Sequence, residues 1–478
     1  MDMKKDIIQE RTPLKVVNIG LQRFCDAIAV QDVPVTQVNW KPPVKQSAEV
    51  QAFLNKYLLD ADRKAIIDEA NQKAADFIIN SDPYWVGIGL AGDIVEGLED
   101  KMITHSGPPI AYEDMVELHQ KGMRRACLIE GWAKTEDEAD AMLKSGEVKV
   151  VAALDYNTVG AGTGMISKST PVWIVEDRAS GKRTGTFPAE GEFQGGFYGW
   201  GNYSEEIVAN QKYLKEDVFP YLDAMLKKRG GVSLKPILAQ GMQMGDENHS
   251  RQDAADLIIL KQCVMDIINM DFPPEVLKNV MHYFSQTLRM FHCLGQGASR
   301  GAMLNNVGLE HSTMVTAVCG NGVEFGIKIA ALGDEWFTAP SPYLEGRYTS
   351  SKFTKDDALP WCGDSCVVEC AGLGGMAAAA SPIVSLMRGQ KMKESVAQTR
   401  EMEKICVAKN RNFPIPNMDF DFLPIGIDMR LVLKTGICPI LHGGNFNKKG
   451  GLIGAGTARV PMECFEKAMR AYDAKYGK

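Results

Sequence analysis

The sequence predicts an α/β protein of several domains, with a mixed α/β core, a helical insertion and a small N-terminal β-α-β appendage. Three observations lead to this prediction. The chain has 478 residues, more than one ordinary hydrophobic core accommodates. Strand-like alternation and helix-like periodicity follow each other along most of its length. From residue 205 to residue 302 the periodicity is helical almost throughout.

The N-terminal segment predicts a β-α-β unit. An apolar strand at 14–19, an amphipathic helix at 21–30 and a second strand at 33–40 follow one another. The predicted domains are, in order, 1–45 for this segment, 46–100 for a helical connector, 101–204 for a central α+β domain, 205–302 for a helical region and 303–478 for a C-terminal α/β domain.

The composition excludes several classes of function. A net charge of −7 without a basic block argues against nucleic acid as a partner, because such binding needs a concentrated Lys/Arg surface. The N-terminus lacks the apolar core of a signal peptide, and no run of about 18 apolar residues occurs. We therefore expect a cytoplasmic protein without membrane contact. The 11 cysteines form no CxxC pair and the 7 histidines show neither HxxxH nor HxH spacing, so no metal site is predicted.

The most informative stretch is 363–380. It predicts an acidic turn, a short apolar strand, a glycine corner at Gly372, Gly374 and Gly375, and the start of a helix. Glycines at such a corner let backbone N–H groups approach a phosphate or carboxylate, and the helix N-terminus favours negative charge. The same residues also let a helix pack tightly on a sheet without any ligand. Both interpretations stay open at this point.

Polar chemistry is concentrated at 239–251. Asp246 is a suitable N-cap, which would place Glu247, His249 and Arg251 in the first turns of a helix. A histidine beside carboxylates and an arginine can act as a general base next to an anion clamp. The alternative is a capped surface helix with an exposed charged face.

Four further segments give weaker indications of a ligand site. The Asn321-Gly322 pair indicates a hairpin turn more than an active-site loop. The stretch around Trp336 fits a ligand rim and a packed loop equally well. Gly454 and Gly456, ahead of a helix expected near residue 461, can bind an anion through backbone amides. The glycines at 160–164 lack the following helix that a dinucleotide fingerprint requires.

Taken in order, these motifs resemble the YlbE/AllG family over roughly residues 100–470. The residues that carry the resemblance are Ser106-Gly107-Pro108-Pro109, Glu130-Gly131-Trp132-Ala133, Gly245-Asp246-Glu247-Asn248-His249, Asn321-Gly322, Trp336-Phe337-Thr338-Ala339-Pro340, Gly363-Asp364-Ser365, Gly426-Ile427-Asp428 and Gly454-Ala455-Gly456-Thr457. The first 45 residues resemble a segment of FdrA-type proteins.

The resemblance implies a carbamoyltransferase subunit. The implied reaction moves a carbamoyl group between a small ureido or amide acid, of the oxalurate/oxamate type, and phosphate. Phosphate and carbamoyl phosphate would be substrates, no cofactor is implied, and a divalent cation is left open. The implied partners are an FdrA-like subunit and further copies of the chain. The alternatives are a scaffold that docks an FdrA-like protein, and a component of an acyl-CoA- or nucleotide-dependent ligase.

The resemblance also implies residue roles. His249 or Glu247 would be the acid/base, and Asp246, Asp364 and Asp428 would orient partners. The substrate and anion ligands would be Arg251, Gly372, Gly374, Gly375, Gly454, Gly456, Asn321 and Trp336.

The chain departs from the family pattern at two places. It has Asp155-Tyr156 where relatives tend to carry a His-His pair, and Ala189-Glu190-Gly191 where relatives have Asn-Glu-Gly. Both changes fall in one region. We therefore expect Asp155, Tyr156 and Glu190 to set a substrate different from oxalurate, or a changed catalytic role.

Overall fold

The computed structural model of the chain describes residues 14–38, 45–160, 162, 164–187, 205–286 and 290–477. They belong to two units, Met1–Gln46 and Ser47–Lys478. The first has one helix and one two-stranded sheet and the second has helices and several small sheets, which confirms the predicted mixed α/β class. The finer division of the larger unit into domains stays a prediction.

The N-terminal unit is a β-α-β motif. Strands β1 (Val16–Ile19) and β2 (Val35–Val38) pair in parallel, and helix α1 (Gln22–Ala29) connects them. A parallel pair requires such a crossover, so the succession of an apolar strand, an amphipathic helix and a second strand was sufficient to predict the motif.

The first part of the larger unit combines helices with two sheets. Its helices are α2 (Ala48–Leu54), α3 (Ala61–Asn80), α4 (Ala91–Ile94), α5 (Glu117–Ile129) and α6 (Glu136–Ser145). Its strands are β3 (Pro83–Leu90), β4 (Met102–His105), β5 (Lys149–Ala152), β6 (Thr158–Val159), β7 (Pro171–Asp177), β8 (Lys182–Thr186) and, further along the chain, β9 (Val232–Ser233). The larger sheet has the order β6-β8-β7-β3-β9, and β4 pairs with β5 in parallel.

The predicted helical region is mainly helical, and β9 and irregular segments such as 245–252 interrupt it. Its helices are α7 (Glu205–Tyr213), α8 (Phe219–Arg229), α9 (Lys235–Gln243), α10 (Asp253–Ile268), α11 (Pro274–Gln286) and α12 (Met290–Leu304). Every residue of α12 is buried. A side chain at Gly297 would come within 2.7 Å of Val175 on β7, so small residues allow this helix to lie directly on the sheet.

The C-terminal part contains three antiparallel sheets, ordered β12-β11-β10-β14, β13-β18-β17 and β15-β16. The strands are β10 (Val315–Asn321), β11 (Glu324–Ile329), β12 (Phe337–Pro340), β13 (Glu345–Tyr348), β14 (Cys362–Gly363), β15 (Cys406–Ile415), β16 (Asp421–Ile427), β17 (Ile440–Phe446) and β18 (Leu452–Arg459). The helices are α13 (Val367–Cys370), α14 (Pro382–Met387), α15 (Met392–Met402), α16 (Met429–Thr435) and α17 (Met462–Tyr476).

Three local predictions are wrong. The apolar run before the glycine corner is helix α13 and not a strand, because burial on all sides makes a short apolar run ambiguous between the two. Gly454 and Gly456 lie inside strand β18 and not in a loop before a helix. The helix predicted to begin at Asp246 does not form. Residues 245–252 are irregular backbone between α9 and α10, with positive φ at Gly245 and Asn248.

None of the helices in the described part of the chain is long and apolar enough to cross a membrane.

Candidate functional site

The site is built around a buried pair, His249 and Glu369. The Nδ1 atom of His249 lies 2.8 Å from Oε1 of Glu369. Their exposed fractions are 3% and 0%. A carboxylate can only accept, so Nδ1 carries the proton and donates it to this bond. The bond fixes the ring orientation and the tautomer, and it leaves Nε2 of His249 as the basic nitrogen.

The glycine corner folds around this carboxylate. The backbone N–H groups of Gly375 and His442 donate to the same Oε1 at 2.9 and 3.0 Å. Gly374 has a φ of +58°, and a Cβ there would lie 2.3 Å from Oε1 of Glu369 and 2.9 Å from Cβ of His249. Of the corner amides, that of Gly375 donates to the side chain of Glu369, whereas those of Gly372 and Gly374 donate to the backbone carbonyls of Glu369 and Glu247. Binding of an outside anion at the corner stays a prediction.

His249 faces a cavity of about 310 Å³, the first cavity hereafter. Within the described residues Nε2 of His249 has no protein partner, and it is not among the buried unpaired atoms. Its basic nitrogen is therefore open to a ligand. The lining combines polar groups with glycines and a few apolar side chains: Gly162, His249, Ser250, His292, Arg347, Tyr348, Thr349, Ser365, Met387, Gly443, Gly444, Phe446, Leu452, Gly454 and Ala455.

A second buried histidine lies behind the first. His442 contacts Arg388 through Nε2 and Glu247 Oε1 through Nδ1, the latter at 3.3 Å. A guanidinium only donates, so Nε2 is the acceptor and Nδ1–H donates to Glu247. Burial and the nearby Arg388 lower the pKa of His442 to about 3, which agrees with the neutral ring that this geometry requires.

Glu247 is consequently a structural anion and not the acid/base. Burial raises its pKa, but the bond from His442, the charge of Arg388 and the N–H of Ser250 outweigh burial and lower it to about 2. Oε1 also accepts from the Ser250 N–H at 2.6 Å, and Oε2 from the Arg251 N–H at 3.1 Å. Every contact of this carboxylate is internal, which contradicts the prediction for Glu247 and leaves His249 as the candidate base.

Arg388 is a buried cation beside Ser250, a residue that lines the first cavity. Burial lowers its pKa to about 10, although Glu247 and Glu369 favour its charge from a distance. Its Nη2 lies 3.4 Å from Oγ of Ser250, and its Nε has no partner in the described part of the chain. No carboxylate among the described residues forms a salt bridge with it. Arg388 is therefore linked to Glu247 through the ring of His442, and its charge balances part of the buried negative charge of Glu247 and Glu369.

His292 completes the imidazole pair of the first cavity. Its ring stacks on that of His249, with centroids 5.8 Å apart. The amides of Gln252 and Gln296 lie 2.9 and 2.6 Å from its two ring nitrogens. The glutamines therefore hold the ring in place at the cavity wall.

Asp246 and Arg251 form an internal ion pair and not an anion clamp. Arg251 Nη1 lies 2.6 Å from Asp246, and Arg251 Nε lies 3.2 Å from Asp253. The other oxygen of Asp246 accepts from the Ala255 N–H at 2.9 Å, inside the first turn of α10. Burial raises the pKa of Asp246 to about 6. The pair anchors the irregular segment to α10, so it supports His249 without reaching the cavity.

Asp364 joins two loops beside the first cavity. It accepts from the N–H groups of Gly107 at 2.7 Å and Gly160 at 3.1 Å. Burial raises its pKa to about 7, against the effect of those two amides. Its neighbour Ser365 lines the cavity. Asp364 therefore fixes the backbone of these two loops and does not itself line the cavity, and its predicted catalytic role stays a prediction.

Three predicted glycines serve backbone packing. A Cβ at Gly372 would lie 2.5 Å from the carbonyl oxygen of Pro424. Gly454 and Gly456 are paired on both sides, because β18 is the middle strand of its sheet. Their amides are not available as an anion cradle, although Gly454 still lines the first cavity. The surroundings of Gly372 agree with the tight-packing interpretation of the corner, and Gly454 and Gly456 belong to the sheet.

Asn321 and Asp428 also have internal roles. Asn321 accepts from the turn amides of Val323 and Glu324 and donates to the Pro108 carbonyl. The predicted hairpin between β10 and β11 is confirmed. Of its two central residues, Gly322 and Val323, only Gly322 has a positive φ, so the turn is not type I′. Asp428 caps α16 and binds the buried Arg430. Neither residue lines the first cavity.

Trp336 and Asp155 belong to a second polar cluster. Trp336 Nε1 donates to Asp155 at 3.0 Å, and the fully buried Lys328 donates to Asp155 at 2.6 Å and to Asp334 at 3.2 Å. Tyr156 is half-buried and packs against the core around Val95 and Leu98. Glu190 lies outside the described residues.

The sequence did not single out Glu369, His442, His292, Arg388 or Arg347. One sequence feature could have found Glu369: an acid in the middle of the apolar run Val367–Cys370 is buried wherever that run is buried, and a buried acid needs a partner. The others are separated in sequence by tens to hundreds of residues and carry no local motif. No group of three or more His, Cys, Asp or Glu in the described ranges is placed to hold a metal ion.

Comparisons with known proteins agree on one family. The family model of the oxamate carbamoyltransferase subunit AllG matches residues 148–365. The chain is 33% identical to the oxamate carbamoyltransferase subunit AllG of Escherichia coli K12 over 416 residues, covering 86% of this chain and 99% of that protein. It is 32% identical to the uncharacterized protein YahG of the same organism over 473 residues, covering 97% and 98%.

A solved structure is similar over most of the chain. It is the crystal structure of a conserved protein of unknown function from Enterococcus faecalis V583, with a TM-score of 0.82 and 30% sequence identity. The similarity covers 85% of this chain and 98% of the other.

Proposed function

The chain belongs to the AllG family, and from this premise we propose that it is a carbamoyltransferase subunit whose active site is the first cavity. The proposed reaction moves a carbamoyl group between phosphate and a small ureido or amide acid of the oxalurate/oxamate type. AllG is named as an oxamate carbamoyltransferase subunit, and the identity extends over nearly all of that protein.

One observation supports this reaction class most directly: a histidine oriented by a buried carboxylate, with its basic nitrogen open to a polar cavity. This arrangement is the one that general acid–base catalysis needs, since the carboxylate holds the tautomer and stabilises the imidazolium that forms. A scaffold without chemistry has no need for such a pair.

The chemistry can be written with His249 as the only proton carrier. A phosphate oxygen attacks the terminal carbonyl carbon of the ureido acid, and Nε2 of His249 takes the proton of that phosphate. The bond between this carbon and the internal nitrogen then breaks. Nε2 returns the proton to the leaving nitrogen, giving carbamoyl phosphate and the amide acid, and the reverse direction uses the same steps.

Other groups of the first cavity suit the charges in this reaction. The hydroxyls of Ser250 and Ser365 and the guanidinium of Arg347 line the same space as His249. Such donors stabilise the oxyanion that develops on the attacked carbonyl and hold the anionic substrates. We assign the glycine corner a supporting role, because the amide of Gly375 donates to the Glu369 carboxylate and Gly374 packs against it.

Assembly and specificity complete the proposal. The chain acts with an FdrA-like partner and further copies of itself, in keeping with the word subunit in the name of AllG. Asp155, Tyr156 and Glu190 remain our candidates for selecting the acid, because the sequence departs from the family pattern there, although Asp155 and Tyr156 do not line the first cavity. The N-terminal unit provides the FdrA-like segment.

The test is a phosphate-release assay with carbamoyl phosphate and a panel of amide acids that includes oxamate. The purified chain is measured alone and with the FdrA-like protein encoded nearest to its gene. The proposal predicts turnover in at least one arrangement and a fall of about 100-fold or more in kcat for His249→Gln. Turnover that His249→Gln leaves intact would exclude His249 as the acid/base.

The scaffold alternative makes a different prediction. If the partner alone carries the active site, His249→Gln and wild type will give equal rates in the complex. A control is Gln240→Leu, an exposed position on α9, which should leave the rate unchanged under either proposal. The ligase alternative predicts binding of coenzyme A or ATP by calorimetry, and the carbamoyltransferase proposal predicts none.

A further inference from the structure

Strand β13 is an edge strand whose outer side is open in the described part of the chain. In its sheet, of order β13-β18-β17, the strand that pairs with it is β18. Glu345, Gly346 and Arg347 are exposed. Native proteins often protect such an edge with a proline or a bulge. Here β13 contains no proline, and its register with β18 is regular over all four residues.

The register with β18 identifies the backbone groups on the open side. The N–H of Thr349 donates to the Ile453 carbonyl at 2.8 Å, directly after the strand. In an antiparallel pair, residues alternate between bonding to the neighbour and pointing away from it. The backbone of residues 345 and 347 therefore faces β18, and that of Gly346 and Tyr348 faces outward. Within the described ranges no residue forms a hydrogen bond with these outward N–H and C=O groups.

The charges on β13 are self-complementary. Glu345 and Arg347 flank Gly346, and side chains two residues apart point to the same side of a sheet. Neither side chain forms a salt bridge within the described residues. If two copies of β13 pair antiparallel with the two Gly346 residues opposite each other, each Glu345 lies opposite an Arg347. These are non-hydrogen-bonded pairs, in which side chains lie closest, and opposite charges stabilise such a pair.

Helix α14 adds apolar surface beside this strand. A Cβ at Gly389, just after the helix, would lie 2.7 Å from Nε of Arg347. On α14 itself, Ile383, Leu386 and Met387 are 44%, 61% and 46% exposed. Exposed apolar side chains that gather in one place are typical of a surface that a protein partner covers. The open strand edge therefore lies next to surface that a partner can bury.

We propose that β13 pairs with β13 of a second copy of the chain, antiparallel and about a two-fold axis at Gly346. The two three-stranded sheets become one sheet of six strands, and the outward backbone groups of Gly346 and Tyr348 gain partners. A two-fold contact uses the same patch on both copies, which the arrangement of Glu345 and Arg347 satisfies. The proposal rests on the proposed function in one point, the assembly of further copies, and it needs no carbamoyl transfer.

The contact between the copies reaches the first cavity. Arg347 lines that cavity and carries one half of each ion pair between the copies. A guanidinium has five N–H donors, so Arg347 can bind Glu345 of the second copy and still donate into the first cavity. Each copy therefore supplies an acid beside the first cavity of the other.

The first experiment is sedimentation equilibrium of the full chain over a range of concentrations. We expect wild type to form a dimer or a larger assembly with an even number of copies. Glu345→Arg and Arg347→Glu each place like charges opposite each other twice. Each should raise the dissociation constant of the contact at least about tenfold and give particles of half the wild-type mass. The double variant, with both substitutions, restores opposite charges and should regain the wild-type mass.

The control is Glu335→Arg, which reverses an exposed acid ahead of β12 and should keep the wild-type mass. Melting temperatures show whether each variant is folded. A monomeric wild type, single variants with the wild-type mass, or a double variant that does not reassemble would overturn the proposal.

The second experiment tests the register. Chains with Glu345→Cys are mixed with chains that carry Arg347→Cys and oxidised. Directly opposite positions lie within reach of a disulfide, and diagonal positions do not. We expect the mixture to form a linked dimer and each variant alone to form far less. Equal linking in all three samples would refute the axis at Gly346. Failure of the proposed function is visible separately, since mass and linking are measured without turnover.

Discussion

Nδ1 of His249 donates a hydrogen bond of 2.8 Å to the carboxylate of Glu369. The bond is buried, and its two residues lie 120 positions apart in the sequence. Oε1 of Glu369 accepts all three of its hydrogen bonds, from His249, Gly375 and His442. Oε2 has no partner in the described part of the chain. This asymmetry makes the charge of Glu369 testable apart from its hydrogen bonds.

Replacing Glu369 with Gln should lower activity without unfolding the protein. The amide oxygen can take the place of Oε1 and keep the three hydrogen bonds, while the NH₂ group occupies the position of the unpaired Oε2. Only the charge that stabilises a protonated His249 is lost. We expect kcat to fall about 100-fold or more, with a melting temperature equal to or above that of wild type.

The readout that separates chemistry from structure is the split between kcat and KM, together with the melting temperature. Glu369→Ala, which removes the acceptor altogether, should lose both activity and stability. Wild-type kcat in Glu369→Gln would mean that the carboxylate only positions the ring.

Replacing Gly374 with Ala should damage the pair by direct contact. The new Cβ would sit 2.3 Å from Oε1 of Glu369, in a backbone conformation with φ of +58°. We expect a loss of about 2 to 4 kcal/mol in the free energy of unfolding and a fall in turnover. Chemical denaturation and the phosphate-release assay measure the two effects.

Gly146→Ala is the control for this change. Gly146 ends helix α6 in the left-handed conformation, with a φ of +75°, and a Cβ at this position would meet no atom within 4 Å. It should therefore show the backbone strain alone, about 1 kcal/mol, with normal turnover. If both variants show the same free energy of unfolding and the same turnover, the close packing of Gly374 against Glu369 does not contribute to function.

Replacing Arg251 with Met should affect stability and leave substrate affinity intact. The guanidinium pairs with the buried Asp246, and without it that carboxylate is buried without a counter-charge. We expect a loss of about 1 to 3 kcal/mol in the free energy of unfolding, with KM within twofold of wild type. A large rise in KM without destabilisation would restore Arg251 as the anion clamp.

The protein should lose stability in mild acid, in part through His105. Burial lowers the pKa of His105 from 6.5 to about 4. The unfolded chain therefore binds a proton below pH 6.5 that the folded chain refuses until about pH 4. The free energy of unfolding is therefore unaffected by His105 above pH 6.5. It decreases as the pH falls from 6.5 to 4, by about 3 kcal/mol in total.

Urea midpoints measured between pH 7 and pH 4 test this dependence. In His105→Asn the side-chain amide can still donate to the Ser106 carbonyl, as Nδ1 does, but it does not titrate, so the slope should become shallower. His311→Asn, at a half-buried position beside Tyr476, serves as the control and should keep the wild-type slope. Equal slopes in all three proteins would contradict a buried neutral His105.

Much of the secondary structure was predictable because it depends on local pattern. The parallel pair around α1, the long helix α3 and the hairpin at Gly322 each have periodicity or turn residues that specify them within a few positions. Helix α13 was not predictable in this way. Its residues are buried on all sides, so their apolar character does not distinguish a helix from a strand.

The site was predicted in part. The sequence singled out Asp246, Glu247, His249 and Arg251 as a candidate cluster, and the structure shows that the first three are buried and not on the face of a surface helix. The role of each residue could not be predicted. Glu247 binds His442, and Arg251 binds Asp246. Which member of a polar cluster stays free depends on partners that the sequence places far away.

The sequence by itself determined the α/β class, the family, and the presence of a histidine and a glycine corner with a capacity for anions. Only the tertiary structure decided that the anion at the corner is Glu369, and that this carboxylate orients His249. The reason is physical: the amides of Gly375 and His442 and the ring of His249 converge on one buried oxygen from three separate segments. Burial makes such a bond necessary, and burial is a property of the fold and not of any single segment.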